Sequence, residues 1–196
     1  MCGRYDLSAE DSAEIKKIIQ QINDKYRGQE IKTGEIFPTN PAPVLMELAS
    51  EITPVPMAWG FPNFGSKGVL INARAETALE KPIFRNSVLL RRCVIPSTGF
   101  YEWDKSKQKY KFSLPGQDTL YMAGLWKEYD GVKRFVILTT APNASISHIH
   151  NRMPLVLPKD SVRSWVLDSS VKDNVLRTVP PLLNKVIVHN GDSLKG

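Results

Sequence analysis

The sequence predicts an α+β protein. It reads as a single domain whose mostly antiparallel sheet curls into a barrel, flanked by short helices and one longer N-terminal helix. Three observations carry this. One amphipathic helical pattern near the N-terminus is followed by a long succession of short β-like runs. Turn chemistry at Pro115-Gly116 and Asp130-Gly131 separates several of those runs. No repeat, low-complexity tract or long linker divides the 196 residues, so residues 1–196 are expected to form one domain large enough for a real core.

The elements follow in order. The start, MCGRYDLS, reads as the approach to a helix. Ser8 with Asp11 predicts an N-cap and an acidic first turn. Ile15, Ile18, Ile19, Ile22 and Tyr26 recur at helical spacing, and Gly28 supplies a stop, giving a helix of roughly five turns. Phe37–Pro43, with three prolines, predicts irregular chain, because proline fixes φ and removes a donor. Val44–Leu48, Ile52–Ala58, Val69–Ala73, Leu90–Pro96, Gly99–Trp103, Lys109–Leu114, Thr119–Lys127, Lys133–Thr140, Met153–Leu157 and Lys185–His189 read as strands. Asp160–Leu167 and Val171–Thr178 read as short helices, and the chain ends in a polar tail.

Composition narrows the function classes. Hydrophobic residues make up 42% and charged residues 23%, ordinary for a soluble globular protein. No apolar run approaches the ~20 residues that span a membrane, and no basic-then-apolar leader opens the chain. Two cysteines, Cys2 and Cys93, fit a reducing compartment, so a cytoplasmic location is expected, nucleoid-associated if the source is a bacterium. Neither sits in a CxxC or Cys/His spacing, so no metal and no cofactor is expected. The net charge of +6 permits a polyanion as partner.

Four islands carry chemistry. The first is Cys2-Gly3-Arg4-Tyr5. Cells commonly trim an initiator Met1 before a small residue, which would give Cys2 a free α-amine beside its thiol. Such a 1,2-aminothiol captures aldehydes, first as a Schiff base and then as a thiazolidine. The α-amine suits neutral pH, with a reference pKa of about 7.7–8.0, and the thiol, at about 8.5, is strongly nucleophilic. Arg4 adds positive charge that favours thiolate and attracts an anion. A second reading leaves Cys2 in a frayed terminus. The second island is Ile71–Thr77, in which the Asn72 amide and the Arg74 guanidinium share one face of an extended chain and suit a phosphate or sugar. The bland alternative is a strand end tied to neighbouring loops. The third is Pro96–Trp103, where Glu102 between Tyr101 and Trp103 would gain acid/base function if desolvated; the alternative is a strand with the aromatics inward and Glu102 outward. The fourth is His148-Ile149-His150-Asn151-Arg152-Met153-Pro154, with a histidine able to exchange protons near neutrality. A metal pair lacks a recognisable third ligand.

MCGRY, INARAET, RRCVIPSTGFYEW and HIHNRMPLVL, with Trp59-Gly60 and Phe84-Arg85 between them, together resemble the SOS response-associated peptidase family, also described as abasic site processing proteins. The resemblance runs from Cys2 to about Leu157. The loop after Trp59-Gly60 looks short, and Val179–Asn184 departs from the family's Pro-Val-Ser segment. The resemblance implies that Cys2 crosslinks the ring-opened abasic sugar of single-stranded DNA as a thiazolidine. It implies Glu102 as the acid/base carboxylate, His150 as the histidine that opens the sugar, and Asn72 as the asparagine beside the cysteine. Arg74 and Arg85 match phosphate-binding positions, with Arg4 an addition. Trp59 and the Pro38 loop fall where the family shapes its DNA groove, Trp59 being able to stack on a base. A Schiff base also permits β-elimination, so a lyase side activity is a further expectation. The partner is thus abasic single-stranded DNA, met by a monomer. Two alternatives stay open: an N-terminal cysteine peptidase, including autocatalytic removal of Met1, and a non-enzymatic module that binds single-stranded nucleic acid with salt-sensitive affinity.

Overall fold

The structure, a computed structural model, describes residues 2–29, 31–65 and 67–189. Met1 and the polar tail expected beyond residue 189 lie outside the described residues.

The chain enters the fold as a strand rather than as the approach to a helix. In Arg4–Leu7 (β1), Tyr5 and Leu7 are buried in the core. Helix α1, Ala13–Lys25, starts one turn later than expected. Its N-cap is Ser12, whose hydroxyl accepts the Ile15 N–H, while Ser8 accepts the Asp11 N–H in the turn before it. Ile15, Ile18 and Ile22 bury the predicted stripe.

Gly34–Ile36 (β2) leads into Pro41–Leu48 (β3) and Glu51–Trp59 (β4). Here the expectation of irregular chain through Pro43 is overturned. Pro41 and Pro43 pair with Ala58 and Pro56 across β4, and Leu45 pairs with Pro54. The Trp59 N–H donates to Asn40 O, so the hydrogen-bonded pairs are the even-numbered residues of β3. Every proline of this hairpin therefore sits where no N–H toward the partner strand is needed. On its other side β3 pairs with a strand, β8, only from Leu45 onward.

Phe61–Pro62 (β5) and Val69–Leu70 (β6) form a small hairpin, and Asn72–Arg74 (β7) follows. Helix α2, Pro82–Leu90, is not foreseen by the sequence pattern, which predicts a strand from Leu90, where the helix ends. Pro82 suits a first helical turn, and Phe84 and Val88 are buried four residues apart. Arg92–Ser97 (β8), Gly99–Trp103 (β9), Lys109–Ser113 (β10), Leu120–Tyr129 (β11) and Val132–Thr140 (β12) match their predicted strands closely. Met153–Pro154 (β13) and Val156–Leu157 (β14) divide one predicted strand. Helices α3 (Ser161–Leu167) and α4 (Lys172–Leu176) precede the last strand, Asn184–Ile187 (β15).

Strands β12, β4, β3, β8 and β11 close into a ring through the β11–β12 hairpin, which is the expected curled sheet. A second sheet, in the order β15-β10-β9-β1-β2, is joined to it where β8 passes through Thr98 into β9. The crossing is tight. A Cβ on Gly99 would lie 2.6 Å from the Phe112 carbonyl oxygen, so only glycine lets β9 and β10 close there.

Barrel strands bury both faces. Cys93, Ile95, Met122, Phe135 and Ile137 belong to one cluster, which also takes Cys2, Tyr5 and Phe100. Val94, Ala123, Leu125, Val136 and Leu138 face a second cluster under Trp165 of α3. This explains near-continuous apolar runs in strands that are largely antiparallel. Arg92 ties the helices down, donating to the carbonyls of Val88, Leu89 and Trp165. No helix among the described residues is long and apolar enough to cross a membrane.

Candidate active site

The antiparallel pairing of β1 with β9 sets Arg4 opposite Tyr101. Cys2 and Gly3 precede the strand, and the Glu102 carboxylate of β9 acts on the Cys2 thiol. Cys2 is fully buried and belongs to the core cluster, so the frayed-terminus reading fails. Its Sγ donates to the Arg4 carbonyl at 3.5 Å. Burial, and then the Glu102 carboxylate, push the thiol well above its ordinary range. The resting thiol is therefore protonated, which corrects the expectation that Arg4 holds it as thiolate. The Arg4 guanidinium is engaged elsewhere, on Glu35 and over the rings of Phe37 and Trp103.

Asn72 comes from β7, which runs parallel to β12 with Asn72 opposite Ile137. Its Nδ2 donates to the Cys2 carbonyl at 2.9 Å. Its Oδ1 is buried and accepts no hydrogen bond among the described residues.

Glu102 is only 4% exposed and faces inward, while Tyr101 and Trp103 face the opposite side of β9. There Lys109 covers the Tyr101 ring at 4.0 Å, and Arg4 and Lys109 lie over Trp103. The sequence set aromatics-inward against Glu102-inward, and cation–π cover on the outer face decides for the second. Burial raises the Glu102 carboxyl from its ordinary 4.5 to about 7, with the charge of the chain's amino terminus opposing the shift.

His150 follows a turn over 144–149 that is held from two sides. Asn143 Oδ1 accepts from the Ser145 N–H at 3.0 Å, and its Nδ2 donates to the carbonyls of Pro180 and Pro181. The divergent Val179–Asn184 segment thus braces the loop that carries a site histidine. His150 Nε2 lies 3.8 Å from Glu102 Oε2. Its Nδ1 meets both the N–H and the carbonyl of Arg152, at 3.1 and 3.2 Å. A neutral ring accepts from the first and a protonated ring donates to the second, so both protonation states are held in one orientation. Burial, and then the amino-terminal charge, lower the imidazole's affinity for a proton. His148 does not join it: that ring is exposed and accepts from Lys185 Nζ at 2.5 Å. The described residues hold no group of three metal-ligating side chains.

The remaining predicted residues scatter around this cluster. Arg74 ends β7 with its side chain exposed, two residues beyond Asn72, and Pro38 is half-buried on the β2–β3 loop. Arg85 is exposed on α2 and makes no hydrogen bond or ion pair with the cluster among the described residues. Trp59 needs a correction. It is fully buried, its indole N–H donates to the Ile71 carbonyl, and its ring stacks on Phe135 and tilts against Tyr5. No face is left for a base. Its position places it as the floor beneath β1 and β7, and the W-G sequence carried no signal of burial. Trp59→Ala is therefore expected to lower stability by about 3–5 kcal/mol, read as a fall in denaturation midpoint. An unchanged midpoint with weaker DNA binding would restore it to the groove.

Two residues were missed as parts of the site. Arg152 makes a paired contact with Glu76, at 2.7 and 2.8 Å, and reaches the Thr139 carbonyl, fixing the backbone that holds His150. Its place two residues after His150 was the available signal. Tyr5 has a fully buried hydroxyl, with its pKa raised by burial and then by Cys2.

Comparison with known proteins shows the family. The family described as SOS response associated peptidase (SRAP) matches residues 1–189. The abasic site processing protein YoqW of Bacillus subtilis is 31% identical over 91% of this chain and 86% of its own length. The abasic site processing protein YedK of Escherichia coli is 28% identical over 85% of this chain and 79% of its own. A crystal structure of a protein from Bacteroides thetaiotaomicron superposes with a TM-score of 0.77, at 21% identity, over 96% of this chain and 93% of that one, which speaks for the fold. With a family match across nearly its whole length, the chain belongs to the SOS response associated peptidase (SRAP) family.

Proposed function

We propose that the protein processes abasic sites, and that it does so by covalent capture of the ring-opened sugar in single-stranded DNA. The relatives named as abasic site processing proteins support the lesion class. The observation that carries the chemistry is the placement of Cys2, at the chain start, in the field of a buried carboxyl that titrates at about 7.

Removal of Met1 exposes the Cys2 α-amine. His150 moves a proton between the sugar's ring oxygen and its anomeric hydroxyl, opening the aldehyde. The amine adds to that carbon to give a carbinolamine. Glu102, protonated, donates to the departing hydroxyl, and water leaves as the imine forms. The thiol then adds through sulfur to the imine carbon while its proton passes to the nitrogen, closing the thiazolidine. A thiol that rests protonated suits this order, since the amine must act first and the S–H proton is needed last. Asn72 orients the reacting residue through the Cys2 carbonyl, to which its Nδ2 donates. Arg74, Arg85 and Arg4 supply sequence-independent phosphate contacts, and the Pro38 loop borders the groove. Extrusion of the sugar is easiest from single-stranded DNA.

The peptidase reading uses the same cysteine, with the freed α-amine as the base that takes the thiol's proton during attack on a peptide. The names of the relatives favour the aldehyde reading, and cleavage of a peptide without abasic DNA would reverse that preference.

The pH dependence tests the assignment. Capture is expected to rise with pH as the α-amine, of reference pKa about 7.7–8.0, loses its proton. It should fall again as Glu102 loses its own, around 7. The rate of adduct formation, followed on denaturing gels, should therefore be bell-shaped about neutrality. A rate that climbs steadily into alkaline pH would remove Glu102 from the acid's role.

A further inference from the structure

On the outer face of the second sheet, Glu35 of β2 spans two cations. Its Oε1 lies 3.1 Å from Arg4 Nη1 and its Oε2 lies 2.7 Å from Lys109 Nζ. Both cations also lie over the Trp103 ring, at 5.0 and 5.6 Å. We propose that Arg4 and Lys109 form a subsite for a DNA phosphate, and that Glu35 is its resident counter-ion, displaced when the strand binds.

The geometry of the carboxylate motivates this. One negative charge shared by two oxygens, one oxygen on each cation, imitates the two free oxygens of a phosphodiester. The fit is looser than a permanent structural pair would need. Arg4 uses a single guanidinium nitrogen on Glu35, although the group offers a planar fork suited to bidentate binding of phosphate. The Arg4 side chain keeps 39% of its surface, so a ligand can reach it and its pair with Glu35 is weak, while Glu35 and Lys109 keep 22% and 14%. Trp103 adds an aromatic wall, completing the combination of cations and rings that single strands favour. The location fits as well. Arg4 is two residues from Cys2, and Lys109 is paired across β9 and β10 with Trp103, the neighbour of Glu102. The subsite lies on the face of β9 opposite Glu102, so a strand that reaches it from the captured sugar passes around the N-terminal end of β1.

The consequence is a built-in restraint on binding. DNA must compete with Glu35, so the non-covalent affinity of the native protein is set below what its cations permit. This inference rests on the single-stranded DNA reading, and the experiment separates the two. Fluorescence anisotropy with an abasic-free oligothymidine, titrated at several salt concentrations, compares wild type, Glu35→Gln and Lys109→Gln. Glu35→Gln is expected to bind about three- to tenfold more tightly at low salt. Its slope of log K against log salt should steepen by about 0.7 for each additional phosphate neutralised. Lys109→Gln should bind more weakly with a shallower slope. Thermal melts of both variants accompany the titrations, and if Glu35→Gln is poorly folded the Lys109→Gln slope alone decides. A wild type with no salt-sensitive binding would overturn the DNA reading itself. A wild type that binds, with the slopes of folded variants unchanged, would overturn only the subsite.

Discussion

Cys2→Ala should leave no covalent adduct with abasic single-stranded DNA, and Cys2→Ser at most a labile imine. The effect is expected to be complete because no other residue offers an amine and a thiol on one carbon framework. Cys93, the other cysteine, is buried within β8 and has no such amine. The alanine variant should still fold, since it removes little more than one buried sulfur, about 1 kcal/mol by the burial of a group that size. Denaturing gels and intact mass read the result, with melting as the control. The companion experiment leaves the thiol in place and takes away only the amine. An extra leucine inserted between Met1 and Cys2 should block trimming and abolish the adduct. A stable adduct in Cys2→Ala would sink the capture mechanism, and full activity in the insertion variant would show that the amine is dispensable.

Glu102→Gln should cost capture about 10²–10⁴-fold and at the same time make the protein more stable above neutral pH. The two effects share one cause. In the folded chain the carboxyl titrates at about 7, against an ordinary 4.5. Between those values the native state keeps a proton that the unfolded state has lost. Stability therefore falls as pH rises through that window, and the loss is fully present above about 7. Below 4.5 both states are protonated and the penalty vanishes. A shift of this size corresponds to a few kcal/mol, which glutamine escapes because it carries no charge to bury. Melting wild type and variant at pH 5 and pH 8 checks this. The wild type should lose more between the two than the variant does. Equal pH dependence would mean that Glu102 is not the buried acid described above. Such a trade, stability yielded at the residue that performs the chemistry, is common at active sites.

Legibility from sequence varied with how local the information was. Gly99–Trp103 matched its predicted span because alternation and flanking turn chemistry are properties of the segment itself. The helix stripe of Ile15, Ile18 and Ile22 was legible for the same reason, though Ser12 rather than Ser8 caps it. The prolines of β3 misled because their tolerance depends on pairing parity with β4, and no reading of one segment contains its partner's register. Helix α2 was missed because its apolar residues run directly into a strand.

The site shows the same division. Read segment by segment, the sequence singled out Cys2 as an aminothiol and left Asn72, Glu102 and His150 open; the ordered motifs that resemble the family named all four as candidates. Only the tertiary structure decided what those groups are like. Alternation along β9 puts Glu102 opposite Tyr101 and Trp103 but cannot say which face is inside. The β1–β9 pairing turned Glu102 inward, and the cations of β1 and β10 covered the aromatics outside. Burial then raised the Glu102 carboxyl and the Cys2 thiol alike, and it took Trp59 out of reach of any base. Protonation state and accessibility depend on the water removed by distant parts of the chain, which is why they belong to the fold and not to the sequence read segment by segment.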